Sequence, residues 1–214
     1  FESEPAGAIV KQVTTARGRP VVIQGTNPKL GCKVNAAVVF DSTCAGGEQC
    51  SGGDTDLGTP NGDFGGPGIG AGGKAGRPFE NSAPQGKVLI ISETLRDADG
   101  DRLVDDPDDQ ASATVIHELD FAAFAPTTVR GITLIDVESA ECPASIELFD
   151  CGGRRLARYP ITVTGDNGVA RVDFPAVDGV WKMVVTLRGS SAIDDVRLGC
   201  DDGGGTTTRA RPSP

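Results

Sequence analysis

The chain of 214 residues carries 30 acidic against 20 basic side chains, a net charge of −10 that disfavours nucleic acid and anionic membrane surfaces and favours cations or neutral partners. The length suffices for one buried core, no run of about 18 apolar residues is present to insert into a membrane, and the start Phe1-Glu2-Ser3-Glu4 lacks the basic and apolar pattern of an export signal. Together these predict a single secreted domain, read as a mature chain whose signal has been removed.

Short runs rich in valine and isoleucine recur at 8–13, 21–24, 36–40, 87–92, 114–121, 130–137, 145–149, 158–163, 170–174, 180–187 and 193–198. Several alternate with period two, as Val115, His117, Leu119 and Phe121 do, and Gly, Pro, Asp and Asn punctuate the gaps. The pattern predicts an all-β, antiparallel sandwich over 1–200, with nearest-neighbour hairpins from Arg130 onward at Gly152-Gly153 and Asp166-Asn167-Gly168. Between the third and fourth runs, 41–86 holds 14 of the 30 glycines and almost no strand pattern. A loop this long needs an organiser. The candidates are a Cys44–Cys50 bridge at one end and the carboxylates of Asp54, Asp56 and Asp63, which suit a cation or backbone N–H groups. The last residues, 201–214, form a low-complexity Gly/Thr/Pro tail in which Thr206, Thr207 and Thr208 are candidate glycosylation sites, since no N-x-S/T acceptor is present.

The densest chemical signal is at 97–109, where seven of thirteen residues are aspartate. With Asp97 as the first position, Asp99, Asp101, Asp105 and Asp108 fall at the third, fifth, ninth and twelfth, and the Leu103 carbonyl at the seventh, the ligand order of a calcium loop. Arg102 stands where such loops carry glycine, and Asp108 replaces the longer glutamate. No helical pattern flanks the segment, which predicts an isolated calcium loop between strands. Calcium is therefore the expected cofactor.

Six cysteines suit three disulfides in an oxidising compartment. Local pairing of Cys44 with Cys50 and of Cys142 with Cys151 leaves Cys32 for Cys200, among 15 connectivities formally open to six cysteines. No CxxC occurs and His117 is the only histidine, which argues against zinc and leaves no Ser-His-Asp or Cys-His constellation beyond one strand residue. The GxGxxG match at 68–73 has no strand before it or helix after it. Trp181 and Tyr159 are candidate glycan contacts, although a tryptophan in an apolar strand is also a core residue. The chain is thus expected to bind rather than to catalyse.

The order Val39-Phe40-Asp41-Ser42, Gly53-Asp54-Thr55-Asp56-Leu57-Gly58-Thr59-Pro60-Asn61, Phe64-Gly65-Gly66-Pro67-Gly68, Gly86-Lys87-Val88-Leu89-Ile90-Ile91 and the aspartate loop resembles a domain of bacterial secreted and surface-anchored proteins. The likeness continues through Gly165-Asp166-Asn167 and Gly189-Ser190-Ser191-Ala192-Ile193-Asp194-Asp195-Val196, and covers about 1–200. It implies a jelly-roll sandwich similar to carbohydrate-binding modules, located outside the cell, with a structural calcium shared by Glu2 and Asp194. The reading that follows is a calcium-stabilised structural or adhesive module, self-associating through its tail or its first strand into a fibre or matrix, with a non-catalytic carbohydrate-binding module as the alternative.

Overall fold

A computed structural model of the chain describes residues 1–44, 53–141 and 143–199. It is all-β, with eleven strands among the described residues: β1 (Gln12–Thr14), β2 (Pro20–Thr26), β3 (Ala37–Asp41), β4 (Lys87–Ile91), β5 (Thr114–Asp120), β6 (Thr127–Ile135), β7 (Ser145–Phe149), β8 (Arg155–Pro160), β9 (Val169–Val180), β10 (Lys182–Arg188) and β11 (Ala192–Leu198). They form two antiparallel sheets, ordered β1-β2-β5-β10-β7-β8 and β3-β4-β11-β6-β9. Each expected run contains or adjoins a strand. The expected hairpins are found only in part, because β7 pairs with β8 whereas β9 pairs with β6 across the chain order. Asp166-Asn167-Gly168 is therefore the connection between two sheets rather than a hairpin turn.

Alternation explains the core. Val115, Leu119, Met183, Val185, Ile146 and Leu148 from one sheet meet Val39, Leu89, Ile91, Ile132, Leu134 and Ile193 from the other. The five-stranded sheet is covered on its outer face as well: Val38, Phe40, Val88, Ile90, Ile135 and Ala192 pack with Leu57 and Val104, which come from the glycine-rich and aspartate-rich loops. Burial on both faces is why β3 and β4 read as continuous apolar runs rather than alternating ones. The two loops thus form a third layer, and its residues are positioned by the sheet beneath.

The N-terminal segment serves both sheets of its own chain. Gly7 and Val10 donate backbone hydrogen bonds to Val39 and Ala37, and the chain then crosses to pair β1 with β2. The outer strands β8 and β9 carry Pro160, Pro175, Arg155, Arg158, Asp173 and Asp178, residues that discourage pairing with another chain.

His117 occupies the core on β5, fully buried, with neither ring nitrogen hydrogen-bonded. Burial lowers its pKa from 6.5 to about 3, so the folded chain keeps it neutral while the unfolded chain protonates between those values. Stability linked to this group is complete above the unfolded value and falls as pH drops below it. His117→Leu is expected to flatten that decline in urea melts across acidic pH and to add about 1–2 kcal/mol by removing unsatisfied polar atoms. An undiminished slope would assign the acid sensitivity to other groups.

A candidate metal centre at one end of the five-stranded sheet

Strand ends and loops bring two acidic groups to one end of the five-stranded sheet. Asp136 directly follows β6, Asp109 bridges Ser92 just past β4, Asp166 lies in the connection before β9, and Ser190-Ser191 precede β11. The glycine-rich loop adds Asp54 and Asp56. Asp54, Asp108 and Asp109 form one group and Asp56, Asp136 and Asp166 another, each offering carboxylate oxygens within 4.8 Å of one another.

The loop reaches this position through a hub of amides. Asn167 accepts at Oδ1 from Asn61 Nδ2 (2.7 Å) and Asn81 Nδ2 (3.1 Å), and donates from Nδ2 to the carbonyls of Asp56 (2.6 Å) and Gly58 (2.7 Å). Its backbone N–H donates to Asp136 Oδ1 at 2.6 Å, joining the hub to the acids. Glycines permit the approach: a Cβ at Gly70 would lie 2.3 Å from an Asp166 carboxylate oxygen, and one at Gly73 would lie 2.3 Å from the Asn167 carbonyl oxygen. Close packing thus accounts for Gly58, Gly66, Gly68, Gly70, Gly72 and Gly73, whereas Gly53, Gly65 and Gly76 take positive φ with nothing near a built Cβ.

The electrostatics are lopsided. Burial, the dominant cause, raises Asp54 to about 11, Asp109 to about 7 and Asp136 to about 8, and it raises Asp108 as well. The charges that act most strongly on these groups are other carboxylates, which raise them further. Asp54 Oδ2 and Asp56 Oδ1 are buried without a hydrogen-bond partner. Ser190 Oγ lies 2.9 Å from Asp109 Oδ2 and 2.5 Å from Asp136 Oδ2, and its single proton satisfies one of them at a time. Ser191 N–H also donates to Asp109. The arrangement is rich in acceptors and poor in positive charge, which suits a hard cation with several oxygen ligands.

The expected calcium loop is divided between two places. Asp97, Asp99 and Asp105 form a third group, exposed except for the half-buried Asp105. Its turns are closed by Gly100 and Arg102 N–H groups donating to Asp97, Asp101 N–H to Asp99, Leu103 N–H to Asp101 and Ala98 N–H to Asp105. Arg102 itself adopts the left-handed conformation (φ 75°) that the absent glycine would have favoured. Asp108 leaves this set: past Pro107 the chain runs alongside Ser92, and Asp108 joins Asp54 and Asp109 instead.

No protein-family model, curated protein or solved structure matches this chain. The site must be judged on its own chemistry.

The remaining expected positions are scattered. Asp63 lies outside the acidic groups and accepts from Ala75 N–H. Glu2 and Asp194 share the lining of a cavity of about 680 Å³, where burial raises Asp194 to about 6, but Glu2 accepts the Lys87 N–H at 2.8 Å. No third carboxylate completes a ligand group with them among the described residues. Tyr159 stacks on Phe174 with centroids 4.4 Å apart. Trp181 instead lines a groove of about 450 Å³ with Phe149, Glu118, Asp120 and Lys182, so the two aromatics do not form one platform.

The described residues hold one member of each expected cysteine pair. Cys44 is engaged, and its expected partner Cys50 lies outside the described residues. Cys32 and Cys151 are free and exposed, and their expected partners Cys200 and Cys142 lie outside the described residues. Thr206, Thr207 and Thr208 also lie outside the described residues.

Asp136 and Asp166 carried weak sequence signals. Asp136 is a lone acid inside the run Leu134-Ile135-Asp136-Val137, and Asp166 sat beside an Asn-Gly turn signal.

Proposed function

We propose that the chain is a secreted, non-catalytic extracellular module of structural or adhesive type, a jelly roll whose outer loop layer is fixed by calcium. The observation that carries the reading is the pair of acidic groups, each with one buried and two half-buried residues, in which the buried atoms Asp54 Oδ2 and Asp56 Oδ1 are unpartnered and no positive charge is among the strongest influences. Calcium fits better than zinc because the donors are all oxygens, and better than magnesium because they come from irregular loops rather than an octahedral frame. The interleaved strand order supports the jelly-roll reading. Cation binding would join Asp54 and Asp56 of the glycine-rich loop to Asp109, Asp136 and Asp166 of the sheet end, making the layer rigid. Such a layer suits a mechanical or binding role. The blunted outer strands and the internally used N-terminal segment favour association through loop surfaces over strand addition.

Equilibrium dialysis of the purified chain tests the cation directly. Two or more calcium ions retained per chain, not displaced by equimolar magnesium, are expected. Retention of none would overturn the calcium reading and leave the Trp181 groove as the stronger candidate for binding.

A further inference from the structure

The hub that docks the glycine-rich loop is built from chemically vulnerable residues. Asn61 precedes Gly62, Asn81 precedes Ser82 and Asn167 precedes Gly168. An asparagine followed by glycine is prone to intramolecular deamidation, because no side chain hinders attack by the next backbone nitrogen, and asparagine is accordingly a thermolabile residue. We propose that Asn167-Gly168 is a deamidation site that is blocked while the loop is docked and that, once modified, prevents the loop from docking again.

The docked geometry accounts for the block. Asn167 is fully buried, and its side-chain amide makes four hydrogen bonds, two accepted and two donated. The attacking atom is engaged too: Gly168 N–H donates to the Gly165 carbonyl at 2.7 Å. Reaction requires the Asn167 side chain to swing toward Gly168 N, which breaks the bonds to Asp56 and Gly58 and so requires the loop to lift. Local opening of this kind, rather than global unfolding, sets the exposure of a surface layer.

The step balances with water as the only co-reactant. Gly168 N loses its proton and bonds Asn167 Cγ, the Cγ–Nδ2 bond breaks, and Nδ2 leaves as ammonia with that proton. Water then opens the cyclic imide at either carbonyl, giving aspartate or isoaspartate. Neither product restores the hub. A carboxylate has no N–H to donate to the Asp56 and Gly58 carbonyls, and it places a new negative charge beside Asp136. Isoaspartate also lengthens the backbone where Gly68, Gly70 and Gly73 already contact Asp166 and Asn167 closely. Asn61-Gly62, whose side chain bonds Asn167 and whose following N–H bonds Gly68, is held in the same way.

The site rests on the hub alone, while its control by calcium rests on the cation reading above. The test therefore has a calcium-independent arm. The folded chain is incubated at mildly alkaline pH with calcium, with chelator, and as Gly72→Val in calcium, the last lifting the loop by a clash with the backbone of Thr164 and Gly165 and with no carboxylate. Peptide mapping follows the amide-to-acid mass gain and isoaspartate, with Asn35 as internal reference. Deamidation at Asn167 is expected to be on the order of tenfold faster in Gly72→Val and in chelator, in proportion to the more frequent opening. Acceleration in Gly72→Val alone would uphold the site and count against calcium control. An Asn167 that stays intact in both, while proteolysis shows the loop lifted, would overturn the proposal. Asn167→Asp, which needs no ageing, is expected to leave the 53–86 loop protease-sensitive; a loop as protected as in the unsubstituted chain would overturn the claim that docking cannot recover.

Discussion

Removing divalent cations is expected to lower the melting temperature by about 10 °C per lost site, with calcium restoring it and magnesium failing to do so. A ligand at a thousandfold excess over its Kd, binding only the folded form, stabilises by about 4 kcal/mol. In a domain of this size, each kcal/mol moves the melting temperature by roughly 2–4 °C. The effect is large because both acidic groups exist only in the folded chain: Asp54 and Asp56 are distant in sequence from Asp109, Asp136 and Asp166, so the unfolded chain offers no comparable site. Without the cation, the half-buried Asp54 and the buried Asp109 face one another across the boundary between the glycine-rich loop and the sheet. The loop layer is then expected to loosen before the sandwich, whose core contacts do not involve the acids. Equal melting in calcium and chelator, measured by calorimetry, would contradict this.

Strand content was legible in the sequence because β5 alternates and β3 and β4 are unbroken apolar runs. Pairing was less so. Hairpins are local, and Gly152-Gly153 correctly marked the β7–β8 turn, but the β6–β9 pairing joins strands separated by two others, and nothing in the intervening residues encodes that choice. The extent of β9 was also hidden, since Pro175 and Gly179 separate the expected runs at 170–174 and 180–187, yet an outer strand tolerates them.

The site was legible where acids cluster in sequence and obscure where they converge in space. The 97–109 aspartates stood out, yet three of them form only the most exposed group, and Asp108 belongs with Asp54 and Asp109. Asp54 and Asp56 were visible as carboxylates in a loop needing an organiser, whereas the partners of Asp56 are single acids, Asp136 just past β6 and Asp166 in the connection before β9. Asn167 read as a turn residue. Its φ of 61° agrees with that reading, but its side chain stitches three segments, a role no local pattern reveals.

The second large effect concerns Asp109→Asn combined with Asp136→Asn. Both carboxyls are buried and raised, to about 7 and about 8, so their protonated forms stabilise the cation-free fold at low pH and that contribution is lost as pH rises through those values. Amides of the same shape remain neutral throughout. At a pH above both values the double variant is therefore expected to melt higher than the unsubstituted chain in chelator, by about 5 °C or more if a few kcal/mol of charge burial is relieved. In calcium the order reverses, because two ligands are gone. Purely structural carboxylates, valued for the bonds from Ser190, Ser191 and Asn167, would make the variant less stable in both conditions. The most direct measurement is thus the melting of both proteins side by side in chelator and in calcium: curves that exchange order would establish a cation-binding centre, and a variant that melts lower in both would contradict it.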